Sequence, residues 1–73
     1  MYLALYSVSN TRYSPVFTYW IARDRDCFAD KVTNRHIASR FETLDAAHLA
    51  LVQAEEWIRR TRCIWRGSSV MSA

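Results

Sequence analysis

Residues 43–59 of the chain read TLDAAHLALVQAEEWIR and carry its strongest structural pattern. Thr43 can cap a helix with its hydroxyl, and Asp45 lies in the first turn, where the helix dipole favours a negative charge. No glycine or proline follows before Gly67. Steps of about 100° per residue place six apolar side chains on one stripe, as expected for a helix packed on a sheet. The stripe consists of Ala47, Ala50, Leu51, Ala54, Trp57 and Ile58.

Three segments before this helix favour β-structure. Residues 2–8 (YLALYSV) and 16–22 (VFTYWIA) are rich in aromatic and β-branched side chains, and a turn-rich loop separates them. We expect these two strands to pair antiparallel. A third strand is predicted at 35–41, with Ile37 and Phe41 facing the core and basic side chains facing outward.

The expected fold class is α+β, with a three-stranded antiparallel sheet packed by one C-terminal helix. Residues 1–66 are predicted to form a single domain, because no repeat or linker divides them. From Gly67 the sequence is mostly small and polar, so we expect a flexible tail over 67–73. A chain of 73 residues buries only about 60% of its unfolded surface, which disfavours a large enclosed active site.

The charge is distributed unevenly along the chain. Ten basic residues, nine of them arginine, stand against seven acidic ones and give a net charge of +3. Up to Glu56 there are six basic and seven acidic residues, a net charge of −1, and the residues after it add +4. The basic character therefore belongs to one end, which favours a local contact surface over a broad nucleic-acid-binding sheet.

Partner binding is predicted first at this arginine-rich end. Arginine and tryptophan dominate binding hot spots, and arginine pairs with carboxylates or phosphates in two-pronged geometry. The alternative interpretation is that the arginines only complement the dipole at the helix C-terminus. The candidate contact residues are Arg59, Arg60, Arg62, Trp65 and Arg66.

A second contact surface is predicted on the first strand, at Tyr2, Leu3 and Tyr6. Ten aromatic residues are too many for so small a core to hide with every polar atom satisfied, so several should be exposed. An edge strand near residues 2–8 could also accept an additional strand from a partner.

The sequence offers little for catalysis or metal binding. Its two histidines, His36 and His48, have no evident nucleophile nearby, so we expect no enzymatic activity, no catalytic residues and no cofactor. Cys27 and Cys63 lack the spacing of zinc ligands, and we expect two reduced thiols and no bound metal. The chain has no apolar run of the about 20 residues that cross a bilayer and begins without a secretory signal, so a cytoplasmic location is expected.

The predicted order strand, strand, strand, helix, with residues 39–47 (SRFETLDAA) entering the helix, resembles the small DNA-binding domains of phage integrases. In that family the sheet enters the major groove, so the resemblance implies binding of duplex DNA. Integrase domains carry many basic residues on the sheet, whereas residues 1–56 here have a net charge of −1.

The chain length, the small sheet packed by one helix, the arginine bias and the polar end together resemble the small RNA-polymerase-binding transcription regulators of lytic phages that infect Xanthomonas. This resemblance implies a non-enzymatic phage protein that contacts the β′ amino terminus and the β subunit of bacterial RNA polymerase. It also implies inhibition of initiation by displacement of the σ factor, together with antitermination. We expect a monomer with no small-molecule substrate and no membrane partner. An anti-CRISPR-like inhibitor of another host complex is the alternative within the same class.

Overall fold

The computed structural model describes residues 1–22 and 32–73. Its strands are β1 (Tyr2–Ser9), β2 (Phe17–Trp20) and β3 (Ile64–Ser72), and its α-helix, α1, spans Leu44–Arg59. The strand order is β2-β1-β3, and β1 pairs antiparallel with both neighbours. The predicted α+β class, with three antiparallel strands and one helix, is confirmed.

Helix α1 begins and packs as its sequence predicts. The Thr43 hydroxyl accepts a hydrogen bond from the Ala46 N–H at 3.1 Å, and Asp45 lies in the first turn. The predicted stripe faces the sheet: five of its side chains are buried and Trp57 is half-buried. Its three alanines are fully buried, which lets the helix approach the sheet closely, and α1 packs over both β1 and β3.

The third strand follows the helix instead of preceding it, so the strand predicted at 35–41 and the C-terminal position of the helix are wrong. Residues Arg35–Ile37 form a 3₁₀-helix. The Asn34 side-chain oxygen accepts the His36 N–H at 2.9 Å, and this local bond competes with pairing in a ladder. Ile37, predicted to face the core, is 45% exposed.

Two isolated bridges attach residues 32–41 to the sheet. Tyr2 and Phe41 exchange two backbone hydrogen bonds of 2.8 Å, and Phe41 is buried as predicted. Trp20 donates its N–H to the Val32 carbonyl oxygen at 2.8 Å, on the β2 side of the sheet. The described residues that flank positions 23–31 therefore lie at the edge opposite to β3.

Residues 67–73, predicted to form a tail, belong to β3 through Ser72. The strand forms because the central strand β1 has a second row of backbone groups that needs a partner, and β3 pairs with every residue of β1 from Tyr2 to Ser9. Val70 and Trp65 pack against the core from this strand. The prediction missed this because serine and glycine have low strand propensity, and pairing with β1 overrides it.

A β-bulge interrupts the pairing of β3. Ser7 lies opposite Gly67 and Val8 lies opposite Trp65, which leaves Arg66 without a partner on β1. Gly67 has φ +152°, a conformation that side-chain-bearing L-residues rarely adopt. Without the bulge, alternation would direct Arg66 towards the helix. With it, Trp65 packs on the core and Arg66 is exposed.

The core lies between α1 and one face of the sheet. Its buried side chains come from β1, β2, α1 and the flanking residues Ile21 and Phe41. None of the helices in the described part of the chain has the length and apolar character needed to span a membrane.

Candidate binding site

One end of the molecule brings together segments that are distant in the sequence. Ser9, at the end of β1, lies opposite Ile64, at the start of β3. The Cys63 thiol donates a hydrogen bond to the Asn10 side-chain oxygen at 3.6 Å, across 53 positions of sequence. We call this end, formed by loop 10–16, the last turn of α1 and residues 60–66, the arginine end.

An aromatic cavity of about 450 Å³ lies at the arginine end, between the sheet and the last turn of α1. Four of its lining side chains are aromatic, and polar side chains reach it from the end of β1, the loop after β1 and the turn after the helix. The lining residues are Tyr6, Val8, Ser9, Asn10, Phe17, Tyr19, Trp57, Ile58, Thr61 and Cys63.

Tyr6 forms the rigid wall of the aromatic cavity. Its ring stacks on Trp65 with centroids 5.2 Å apart and planes 6° from parallel, and it lies 6.0 Å from the Tyr19 ring. Burial raises the pKa of the Tyr6 hydroxyl above 10, and the neighbouring Tyr19 raises it further. Tyr6 therefore stays neutral at physiological pH and holds the two rings that flank it.

Hydrogen bonds close the helix end beside the cavity. The Thr61 hydroxyl donates to the Ile58 carbonyl oxygen at 2.6 Å and accepts the Cys63 N–H at 3.1 Å. Cys63 is a free, half-buried thiol, whereas Cys27 lies outside the described residues. The Ser9 hydroxyl oxygen is buried and has no hydrogen-bond partner among the described residues. Hydrogen bonds therefore hold Thr61 and Cys63 in place at the cavity, and the Ser9 hydroxyl adds a polar group to its lining.

The predicted arginines lie on the surface of the arginine end. The Arg59 guanidinium is 3.7 Å from the Glu55 carboxylate, and 73% of the Arg59 side chain is exposed. Arg60, Arg62 and Arg66 are also exposed and form no ion pair with any described residue. Arg59, Arg60 and Arg62 are direct neighbours in the sequence of three residues that line the aromatic cavity. Those lining residues are Ile58, Thr61 and Cys63. Positive charge and an apolar recess therefore lie side by side.

Trp65, which the sequence analysis grouped with the arginines, is half-buried and packs on the core. The loop at this end also supplies two exposed residues, Arg12 and Tyr13. Arg12 was not singled out by the sequence analysis, whereas Tyr13, 92% exposed, is one of the aromatic residues expected on a recognition surface. Their position in the turn between two β segments was visible in the sequence. That they lie near the end of the helix could be seen only from the pairing of the strands in the sheet.

The first-strand candidates are placed differently from the expectation. Leu3 and Tyr6 are each 3% exposed, and Tyr2 is half-buried against the core. The expectation that residues 2–8 form an edge strand is wrong, because β1 is paired on both sides. The strand runs up the middle of the sheet, so its side chains position the site instead of forming its surface.

The two histidines lie apart from the aromatic cavity. His36 is in the 3₁₀-helix, and His48 is exposed on α1. Within residues 1–22 and 32–73, no group of three or more His, Cys, Asp or Glu side chains is arranged to hold a metal ion.

No protein-family model matches the chain, and comparison with curated proteins and with solved structures finds no match. The order strand, strand, strand, helix, on which the integrase resemblance rests, is not the order found, because the helix precedes β3. The fold and the site define a small α+β domain that presents exposed arginines beside an aromatic cavity.

Proposed function

We propose that this protein is a non-enzymatic binding module that attaches to an acidic and apolar segment of a larger protein through its arginine end. The observation that carries the proposal is the position of exposed arginines next to the aromatic cavity. An aliphatic or aromatic side chain of the partner enters the cavity, and neighbouring carboxylates of the partner pair with the arginines. Most of the cavity wall comes from packed elements, so binding orders few additional side chains.

The partner we propose is bacterial RNA polymerase, at the β′ amino terminus and the β subunit, in the cytoplasm of a phage-infected host. This step rests on the resemblance to small phage transcription regulators. The mechanism is competition by occupancy: the bound protein displaces the σ factor from promoters and, on elongating polymerase, promotes antitermination. No chemistry is required of the small protein, because it acts by excluding or repositioning a partner.

Binding of duplex DNA receives less support from the arrangement of the sheet. The strand side chains that face away from α1 are apolar or hydroxyl-bearing, with Leu5, Thr18, Trp20 and Met71 among them. Among the described strands, Arg66 at the bulge is the one arginine, and Arg35, from the 3₁₀-helix, lies 5.9 Å over the Trp20 ring. A sheet that enters the major groove needs basic side chains on its open face to neutralise phosphates.

The test is binding of the full chain to purified bacterial RNA polymerase, with titrations at several salt concentrations. The variant Arg60→Ala/Arg62→Ala removes two exposed cations that make no described ion pair. We expect it to weaken binding by about tenfold or more, since each lost hot-spot contact costs roughly 1 to 2 kcal/mol. The matched control Arg35→Ala/Arg40→Ala removes the same charge from exposed positions outside the arginine end and should bind as the parent does.

A second variant tests the aromatic cavity without changing charge. Cys63→Phe fills the cavity from its lining and should block entry of the anchor side chain, while the arginines stay in place. Retained affinity in both the arginine and the cavity variants would contradict the proposed surface. Absence of binding to polymerase, with capture of duplex DNA whose affinity falls steeply with salt, would instead favour the integrase-like alternative.

A further inference from the structure

The outer edge of β3 is a row of backbone groups that is unpaired within residues 1–22 and 32–73. The sheet order places β3 at one end, and no described residue pairs with its far side. The strand is nine residues long, contains no proline and carries one charge, Arg66, at the bulge. Proteins usually protect such edges with lysine, proline or a covering segment, and β3 has only the bulge near its start. Residues 67–72 thus form a long, uncharged strand edge.

Helix α1 offers a complementary surface directly above this edge. A groove between α1 and β3 is lined by His48, Leu51, Val52 and Glu55 from the helix and by Trp65 and Ser68 from the strand. Val52 is 53% exposed, and Glu55 and His48 flank it at distances of one turn. An incoming strand at the β3 edge would therefore meet apolar and charged helix side chains as well as backbone groups.

We propose that two copies of this chain pair antiparallel through their β3 edges, around a two-fold axis close to Ser68, to form one continuous six-stranded sheet. Such an axis, perpendicular to the sheet, places both copies of α1 on the same face and runs them antiparallel. The proposal departs from the expectation of a monomer, and it does not depend on the identity of the partner proposed above.

The spacing of the elements fits this arrangement. Neighbouring strands lie about 4.8 Å apart, and α1 packs over both β1 and β3. A helix centred between these two strands would lie about 2.4 Å inside the axis of β3. Two such helices would lie about 10 Å apart across the new strand pair, at the upper end of the usual helix packing distance of about 8 to 10 Å. At that separation the two helices could pack against each other through their groove-side residues.

The polar side chains along the groove are also complementary in this arrangement. Leu51 and Val52, which line the groove with Ser68, lie midway in sequence between His48 and Glu55. A two-fold axis beside them would bring the His48 imidazole of one copy near the Glu55 carboxylate of the other. The two copies of Arg66 lie on opposite sides of the axis, about 13 Å apart along the strands, so salt largely screens their repulsion. The Arg66 charge therefore opposes the pairing little, and a ring N–H of His48 can donate a hydrogen bond to the facing Glu55 carboxylate.

The test is sedimentation equilibrium of the full chain alone, up to about 100 µM, which detects even weak micromolar association. We expect twice the mass of the chain. Val52→Glu brings like charges together at the axis and should weaken self-association by at least tenfold. Leu49→Glu is the matched control: Leu49 is equally exposed, at 54%, on the same helix, but does not line the groove, so it should leave the dimer unchanged.

A charge exchange provides a second measurement that does not depend on one variant folding well. His48→Glu and Glu55→Lys should each weaken the dimer, and the double variant His48→Glu/Glu55→Lys should recover most of the lost affinity, because each copy then presents both partners again. A monomer at every concentration, equal weakening by Val52→Glu and Leu49→Glu, or a double variant no better than the singles would overturn the proposal.

Discussion

Gly67 provides the sharpest test of how β3 is built. Replacing it with L-alanine meets no steric obstacle, since nothing lies within 4 Å of a Cβ added there. The cost is therefore confined to the backbone, where φ of +152° is nearly restricted to glycine and is worth about 1 to 3 kcal/mol of strain. Loss of glycine's freedom in the unfolded chain offsets about 0.4 to 1 kcal/mol. Gly67→Ala should thus lower the free energy of unfolding by about 1 to 2 kcal/mol.

Urea denaturation followed by far-UV circular dichroism measures this change, and a shift of the midpoint without a change of slope identifies it as a stability effect. Two comparisons isolate the backbone. Ser69→Ala, at an exposed position of the same strand, should change stability by about 0.5 kcal/mol or less. Gly67 replaced by D-alanine, in a chemically synthesised chain, carries its Cβ at the other hydrogen position of Cα and suits positive φ, so it should be at least as stable as the parent.

If Gly67→Ala is as stable as the D-alanine chain, the bulge does not require positive φ and the reasoning fails. If both replacements destabilise the protein equally, the sign of φ does not account for the cost, and the backbone argument fails. The prediction therefore separates backbone conformation from packing as the reason for the glycine.

Two further predictions concern the helix and the cavity wall. Thr43→Ala removes the bond to the Ala46 N–H and should lower the free energy of unfolding by about 1 kcal/mol in the same urea assay, whereas Thr33→Ala, at an exposed position with no described side-chain bond, should have little effect. The pKa of Tyr6 is raised in the folded state, so the folded chain holds the hydroxyl proton more tightly than the unfolded chain does. The stabilisation from this protonated hydroxyl is complete below pH 10 and declines as the pH rises through the folded-state pKa. Tyr6→Phe should flatten that alkaline decline in unfolding experiments, and an unchanged profile would contradict the buried placement of the hydroxyl.

Much of the architecture could be read from local patterns. The cap at Thr43, the buried stripe of α1 and the first two strands depend on neighbouring residues in the sequence, and all were predicted near their observed positions. Helix capping and periodicity are short-range properties, so a sequence contains them directly. The arginine clustering after Glu56 was equally visible, since charge can be counted along a chain.

The third strand could not be placed in this way. Residues 35–41 contain β-favouring side chains, but the Asn34 side chain closes a 3₁₀-turn there. Residues 64–72 contain four serine and glycine residues and still form a strand, because the unpaired side of β1 requires a partner along its length. A strand needs a second segment to pair with, so its formation depends on both segments. Residues 64–72 have the lower strand propensity, but they form the strand because their position after the helix brings them alongside β1.

The aromatic cavity and the outer edge of β3 both result from the way in which distant segments of the chain pack together. Residues 43–59 alone established a helix with one apolar face, and the residues after Glu56 alone established a concentrated positive charge. Whether Trp65 faces the core or solvent depended on the bulge at Gly67, and whether β1 or β3 was exposed depended on the order of strands in the sheet. Those outcomes follow from hydrogen bonds and contacts between residues far apart in the chain, such as Asn10 and Cys63, whose partners no local pattern specifies.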